Sequence, residues 1–137
     1  MSEPATPAAT PATPFDRLGG VDAVRRLVDT FYDRMDARPD CAPLRALHPA
    51  DLATSRDKLA WYLTGWLGGP NVYVEKFGHP MLRARHLPFA IGVAERDQWL
   101  ACMADALELH VADLELRAAL TAALARLADH MRNRREP

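Results

Sequence analysis

Histidines and aromatic hydrogen-bond donors are the side chains in this sequence that have chemistry to offer. The common catalytic signatures are missing: there is no glycine-rich phosphate loop, no His-Glu-x-x-His and no Gly-x-Ser-x-Gly elbow. Acidic residues fall mostly on faces opposite apolar stripes, the pattern of a solvated surface. His86 is the most informative residue. It closes a short segment in Arg83-Ala84-Arg85-His86-Leu87-Pro88-Phe89. A histidine in such surroundings is either a hydrogen-bonded packing residue or an axial metal ligand, which needs a neutral imidazole held in one orientation. Tyr32 and Trp99 occupy apolar faces of different helices. Each serves as core filler, yet each carries an O–H or N–H that needs a partner when buried. Two such donors can converge on one buried acceptor. His48, in Leu47-His48-Pro49, and His79, in Gly78-His79-Pro80, read as loop histidines, either solvated or on a pocket wall. His110 and His130 fall near helix C-termini and read as surface residues with a mild dipole benefit.

Helices must position these groups. Val21, Val24, Val28, Phe31 and Met35 recur at helical spacing and predict a first long helix that carries Tyr32. Gly19-Gly20 turns the chain before it, and Pro39 and Pro43 stop it. A second helix over about 53–67 presents Leu59, Tyr62, Leu63 and Trp66, and Gly68-Gly69-Pro70 closes it. Residues 70–80, with Pro70, Asn71, Gly78 and Pro80, read as an ordered loop rather than an element. A helix of one or two turns over 81–86 ends at His86, ahead of Pro88. Residues 94–110 form a long helix with Trp99, Leu100, Met103 and Leu107 inward. Asp113 caps a last helix through Leu116, Leu120, Leu124, Leu127 and Met131. No strand and no internal repeat is legible. A plain helical bundle has short connections, so a long irregular segment inside a small helical domain implies something for it to embrace.

Composition bounds the alternatives. A chain of 137 residues is one domain by length, and 49% hydrophobic with 26% charged residues is ordinary for a soluble globular protein. A formal charge of −1 and a pI near 6.5 argue against a nucleic-acid surface. No apolar run is long enough to span a membrane, and no secretory signal is expected at the start. Cys41 and Cys102 form no Cys-x-x-Cys pair, which disfavours a disulfide framework or a zinc ribbon and favours a reducing cytoplasm. Residues 1–14, MSEPATPAATPATP, read as a disordered Pro/Ala/Thr-rich tail, leaving residues 15–137 as the folded domain.

Several stretches together resemble the group II truncated haemoglobins. They are Phe15-Asp16-Arg17-Leu18-Gly19-Gly20, Phe31-Tyr32, Trp66-Leu67-Gly68-Gly69-Pro70, the run from Gly78 to Phe89, and Glu95-Arg96-Asp97-Gln98-Trp99-Leu100-Ala101-Cys102-Met103. The resemblance runs from about Phe15 to Arg132. It implies an all-α fold, a truncated globin in which a two-over-two helical sandwich surrounds haem b (iron protoporphyrin IX). His86 then matches the proximal iron ligand. Tyr32 and Trp99 match the distal donors, which favour a ligand that gathers negative charge, as dioxygen does. His48 falls where the family varies among Tyr, Phe and His, and makes the distal pocket polar. Ser55 and Leu59 align with distal access and wall positions. Lys58, Tyr73 and Arg85 match positions that meet the haem propionates. Tyr62, Leu63, Phe77, Ile91 and Met103 are implied as pocket wall.

The implied function is binding of dioxygen and other small ligands (carbon monoxide, nitric oxide, peroxide, anions) at an open distal iron site. The protein is expected as a monomer or homodimer without nucleic acid or membrane span. An enzyme that uses the same haem, a peroxidase or a nitric oxide dioxygenase supplied by a reductase, is the alternative. A helical interaction module without haem, with His86 and Trp99 as core, is the third.

Overall fold

The computed structural model describes residues 12–134, and these are helical with no strand. In chain order the helices are α1 (Pro14–Leu18), α2 (Val21–Ala37), α3 (Ala42–Ala46), α4 (Ala53–Trp66), α5 (Val72–Phe77), α6 (Leu82–His86), α7 (Val93–His110) and α8 (Leu114–His130). A 3-10 turn, Pro39–Cys41, leads into α3. The two-over-two sandwich is made by the long helices: α2 packs on α4 and on α7, and α7 packs on α8.

The apolar stripe of α2 dictates this arrangement. Val24, Leu27, Val28, Phe31 and Met35 lie on one side of the helix and are all buried. They meet Cys102, Met103, Ala106 and Leu107 of α7, with Leu116, Leu120 and Leu124 of α8 completing the core. Side-chain caps fix where the last two helices start. The Asp113 carboxylate accepts from the Leu116 amide at 3.1 Å, and Glu95 accepts from the Gly92 amide at 3.2 Å. Ion pairs fasten the layers at the surface, with Arg56 of α4 reaching Asp33 of α2 at 2.7 Å and Arg96 of α7 reaching Asp129 of α8 at 2.7 Å. Among the described residues no helix is long and apolar enough to cross a membrane.

Three segments differ from the sequence reading. Residues 72–77, expected as loop, form α5. Its flanking Pro70 and Gly78 bound the helix rather than break it, and Tyr73 and Phe77, one turn apart, stack with centroids 4.9 Å apart. Pro43 does not merely stop α2. It stands in the first turn of α3, where a missing N–H has no intrahelical partner to lose. The third segment is α1, which starts at Pro14, so Thr13 and Pro14 belong with the fold rather than with the tail. Thr13 caps this helix, accepting from the Asp16 amide at 3.1 Å, while Asp16 accepts in return from the Thr13 amide. Of the remainder of the expected tail, residues 1–11 lie outside the described residues.

The Gly68-Gly69 pair has a second duty besides ending α4. The Phe15 amide donates to the Leu67 carbonyl at 3.0 Å, and a Cβ at Gly69 would lie 2.7 Å from the Phe15 ring. Glycine therefore makes the seat on which the start of the fold rests.

Candidate functional site

A cavity of about 290 Å³ opens among α2, α3, α4, α6, α7 and α8. Its wall is largely apolar, with Leu44, Leu47, Leu59, Leu82, Phe89, Ile91, Leu127 and Met131. Into it come Tyr32 from α2, His48 after α3, Ser55 and Tyr62 from α4, His86 from α6 and Trp99 from α7. An apolar pocket with a few convergent polar groups is the general form of a ligand or cofactor site.

His86 stands at the C-terminal end of α6. Its Nδ1 lies 2.6 Å from the Leu82 carbonyl one turn back. A carbonyl only accepts, so Nδ1 carries a proton, which leaves Nε2 as the ring nitrogen available to a metal. That is the tautomer a metal ligand needs, and the second hydrogen bond fixes the ring's rotation. The chain enters α6 through Met81, a left-handed residue with φ of 48°, whose amide donates to His79 Nδ1 at 3.1 Å.

Tyr32 and Trp99 flank Phe31, whose ring centroid is 4.9 Å from that of Tyr32 and 5.1 Å from that of Trp99. This fully buried ring sets the spacing of the two donors. Arg56, anchored by its ion pairs to Asp29 and Asp33, lies 5.8 Å over the Tyr32 ring. Burial raises the Tyr32 hydroxyl above the ordinary phenol range, so it stays a donor at any working pH. Neither the Tyr32 hydroxyl nor the Trp99 indole N–H has a hydrogen-bond partner among the described residues.

The His48 ring packs edge-on to Tyr32 at 5.9 Å. Its Nδ1 lies 3.0 Å from the Leu44 carbonyl, which makes Nδ1 the donor. Burial lowers its pKa from the usual histidine value, an effect that outweighs the opposing bond to Leu44. The ring is therefore neutral near pH 7, with Nε2 an acceptor. A neutral histidine with that tautomer offers the cavity an acceptor and no donor.

Lys58, Tyr73, Phe77 and Arg85 form a group of mutual contacts, and none of them lines the cavity. Lys58 Nζ is 5.6 Å from the Phe77 ring centre, and the Arg85 guanidinium is 6.0 Å from that of Tyr73. Tyr62, which does line the cavity, packs edge-on to Tyr73 at 6.2 Å and joins this group to the site. Residues from α4, α5 and α6 thus meet although no local pattern in the sequence links them. Ser55, Leu59, Tyr62 and Ile91 line the cavity as expected. Leu63, Met103 and Phe77, expected in the wall, do not. Leu63 and Met103 are 2% and 1% exposed and belong to the core cluster, whereas Phe77 is 42% exposed.

Sequence reasoning missed Leu44, Leu47 and Pro49, which enter the wall because α3 forms where only a stop was legible. It also missed Glu95, Arg96 and Ala128. Leu127 and Met131 were visible as members of the α8 stripe, but nothing showed that the stripe's end leaves the core for the cavity.

The donor set tests what the site can hold. Among the described residues no three His, Cys, Asp or Glu side chains cluster as a metal site. A single imidazole suits a metal that arrives already chelated, and a flat apolar chelate suits this wall. Phe89, in the cavity wall, is 42% exposed and leaves apolar surface there for such a group to cover. The residues present fit haem.

Comparison with known proteins agrees with this geometry. Residues 13–133 match the family model described as bacterial-like globin. The chain is 42% identical over 123 residues to the group 2 truncated hemoglobin YjbI of Bacillus subtilis (strain 168), covering 90% of each chain. Among solved structures, the group II 2-on-2 hemoglobin of Agrobacterium tumefaciens superposes with a TM-score of 0.90 at 48% identity, over 93% of this chain and 99% of that one. The cold-adapted truncated hemoglobin of Pseudoalteromonas haloplanktis TAC125 gives 0.89 at 42% identity, over 90% of this chain and 100% of that one.

Proposed function

The chain belongs to the bacterial-like globins, within the group II truncated haemoglobins, and from that membership we propose that it holds haem b on His86 and binds dioxygen and other small diatomic ligands beside Tyr32 and Trp99. One observation carries this reading. A single cavity contains an imidazole whose Nδ1–H is committed to Leu82 and two donors without a partner among the described residues. When bound, haem supplies an iron atom with a sixth position open to small ligands.

The chain's own residues do the rest. His86 Nε2 would hold the iron. The Tyr32 hydroxyl and the Trp99 indole N–H donate to a ligand that gathers negative charge, in a pocket where low dielectric strengthens both bonds. Neutral carbon monoxide gains less from them. The cationic and phenolic heads of Lys58, Arg85 and Tyr73 suit the anionic propionates. Ser55 is small and leaves room for ligand entry. In this reading the protein works in the cytoplasm, whose reducing pool suits the free Cys41 and Cys102.

The test is oxygen release. Loss of one hydrogen bond worth about 1.5 kcal/mol corresponds to roughly a tenfold faster rate. Trp99→Phe is expected to release oxygen about tenfold faster, with a smaller change for carbon monoxide. Equal changes for the two ligands would contradict donation by Trp99.

His48 favours a second reading, redox turnover of an acidic ligand such as peroxide. Its neutral Nε2 can take the ligand's proton, which a purely donating wall cannot do. Such turnover needs electrons from a reductase. Sustained consumption of peroxide with a reductant separates it from reversible binding.

A further inference from the structure

The chain that follows α8 folds back onto the segment carrying His86. Asn133 Nδ2 donates to the His86 carbonyl at 3.1 Å and to the Phe89 carbonyl at 2.8 Å. Its Oδ1 accepts from the Ile91 amide at 3.0 Å. Its backbone amide donates to the Ile91 carbonyl at 2.9 Å, closing a clip around residues 86–91. A primary amide is the neutral side chain that offers two N–H donors and an acceptor together. Asparagine therefore meets two carbonyls and one amide at once, which neither aspartate nor leucine can do.

The clip matters because α6 has little else to hold it. The helix buries none of its residues. Its internal bond from His86 to Leu82 fixes the ring against α6 but not α6 against the molecule. Arg85 Nε donates to the Pro80 carbonyl at 2.7 Å, which is again local. The other bond to the C-terminal strap, from Arg83 to the Arg132 carbonyl, is 3.5 Å long.

Building on the haem reading above, we infer that Asn133 is a positioning residue for the iron ligand: it sets the seat of His86 by holding its carbonyl and the loop that follows to the end of α8. Nothing in the sequence around Asn133 signals this, since its partners lie more than forty residues away.

The test compares wild type, Asn133→Leu and Asn133→Asp. Leucine removes every polar group of the side chain. Aspartate keeps the acceptor for Ile91 but turns only acceptors toward the carbonyls of His86 and Phe89. Without haem, the Ile91 amide is expected to exchange with deuterium faster in the leucine variant and to stay protected in the aspartate variant. After loading with hemin and reduction, both variants are expected to shift the iron–histidine stretching band, and both are expected to lose hemin about tenfold faster than wild type. If the leucine variant does not fold, the aspartate variant alone decides the matter. An unshifted band with wild-type hemin loss, even at a lowered melting temperature, means that Asn133 only secures the C-terminus, and overturns the inference. A wild-type chain that takes up no hemin overturns the haem reading and this inference with it, whereas hemin uptake with indifferent variants overturns this inference alone.

Discussion

His48 shows how one side chain's surroundings change what it can do. Its ring lines the cavity, but the bond to Leu44 and the pull of burial hold it neutral with Nε2 unprotonated. The sign of the pH effect follows. An unfolded histidine takes up a proton near 6.5, while native His48 does so only at lower pH. Between those points the unfolded chain binds more protons, so stability is full above about 6.5 and is lost as pH falls through the native value. Partly buried His110, held against Thr30 at 2.7 Å, is shifted the same way, chiefly by desolvation. Urea unfolding from pH 7.5 down to 5 is expected to show falling stability, and His48→Gln is expected to flatten part of that slope. An identical slope in the variant would mean that His48 titrates freely in the native state. Residue types alone singled out His86, Tyr32 and Trp99 as side chains that need a partner when buried, with core packing an equal reading, and their roles as ligand and donors were implied only by the family resemblance. They did not show which nitrogen of each histidine was spent, because that depends on carbonyls fixed by the backbone.

At the level of elements, the long helices and the short helix ending at His86 were legible, and the other short ones were not. Helices α2, α7 and α8 bury stripes whose periodicity runs over several turns, so tertiary packing repeats the sequence pattern many times. Helices α1, α3 and α5 hold five, five and six residues, too few for a period to emerge. They persist through caps and contacts with distant residues. For α1 the contact is the Gly68-Gly69 seat and the cap is Thr13. Thr13→Ala is expected to cost about 1 kcal/mol, within the usual range for a lost N-cap hydroxyl. Thermal unfolding reads this directly, and an unchanged melting temperature would mean that α1 contributes nothing to the cooperative unit. The short helices matter for the site beyond their size. Helix α3 supplies Leu44 and α6 supplies Leu82 and His86 to the cavity wall, while α5 supplies Tyr73, which packs on the lining residue Tyr62.

Across the whole molecule, the same two layers that make the core also make the cavity. Phe31 packs in the core and holds Tyr32 and Trp99 apart at its rim. Behind it, Cys41 and Cys102 are fully buried with sulfurs 3.4 Å apart, and burial pushes the Cys102 thiol up to about 12. A thiol in that state is a poor nucleophile. Neither cysteine is expected to react with a thiol reagent at pH 8 in the native protein, and both are expected to react in guanidinium. Rapid labelling of the native protein would mean that this part of the core opens readily. The two-over-two arrangement could be reached from the sequence only through the family resemblance. Helical periodicity gives the stripes but not which helix meets which, and it gives no sign that Leu127 and Met131 turn from core to cavity wall.

The central claim, that His86 holds haem in this cavity, is tested most directly by titrating the purified protein with hemin and following the Soret band. Wild type is expected to bind hemin in equal proportion, with a band that shifts on reduction and again with carbon monoxide. His86→Ala is expected to bind weakly and to give a different spectrum. No band in wild type, or the same band and affinity in the variant, would contradict the account.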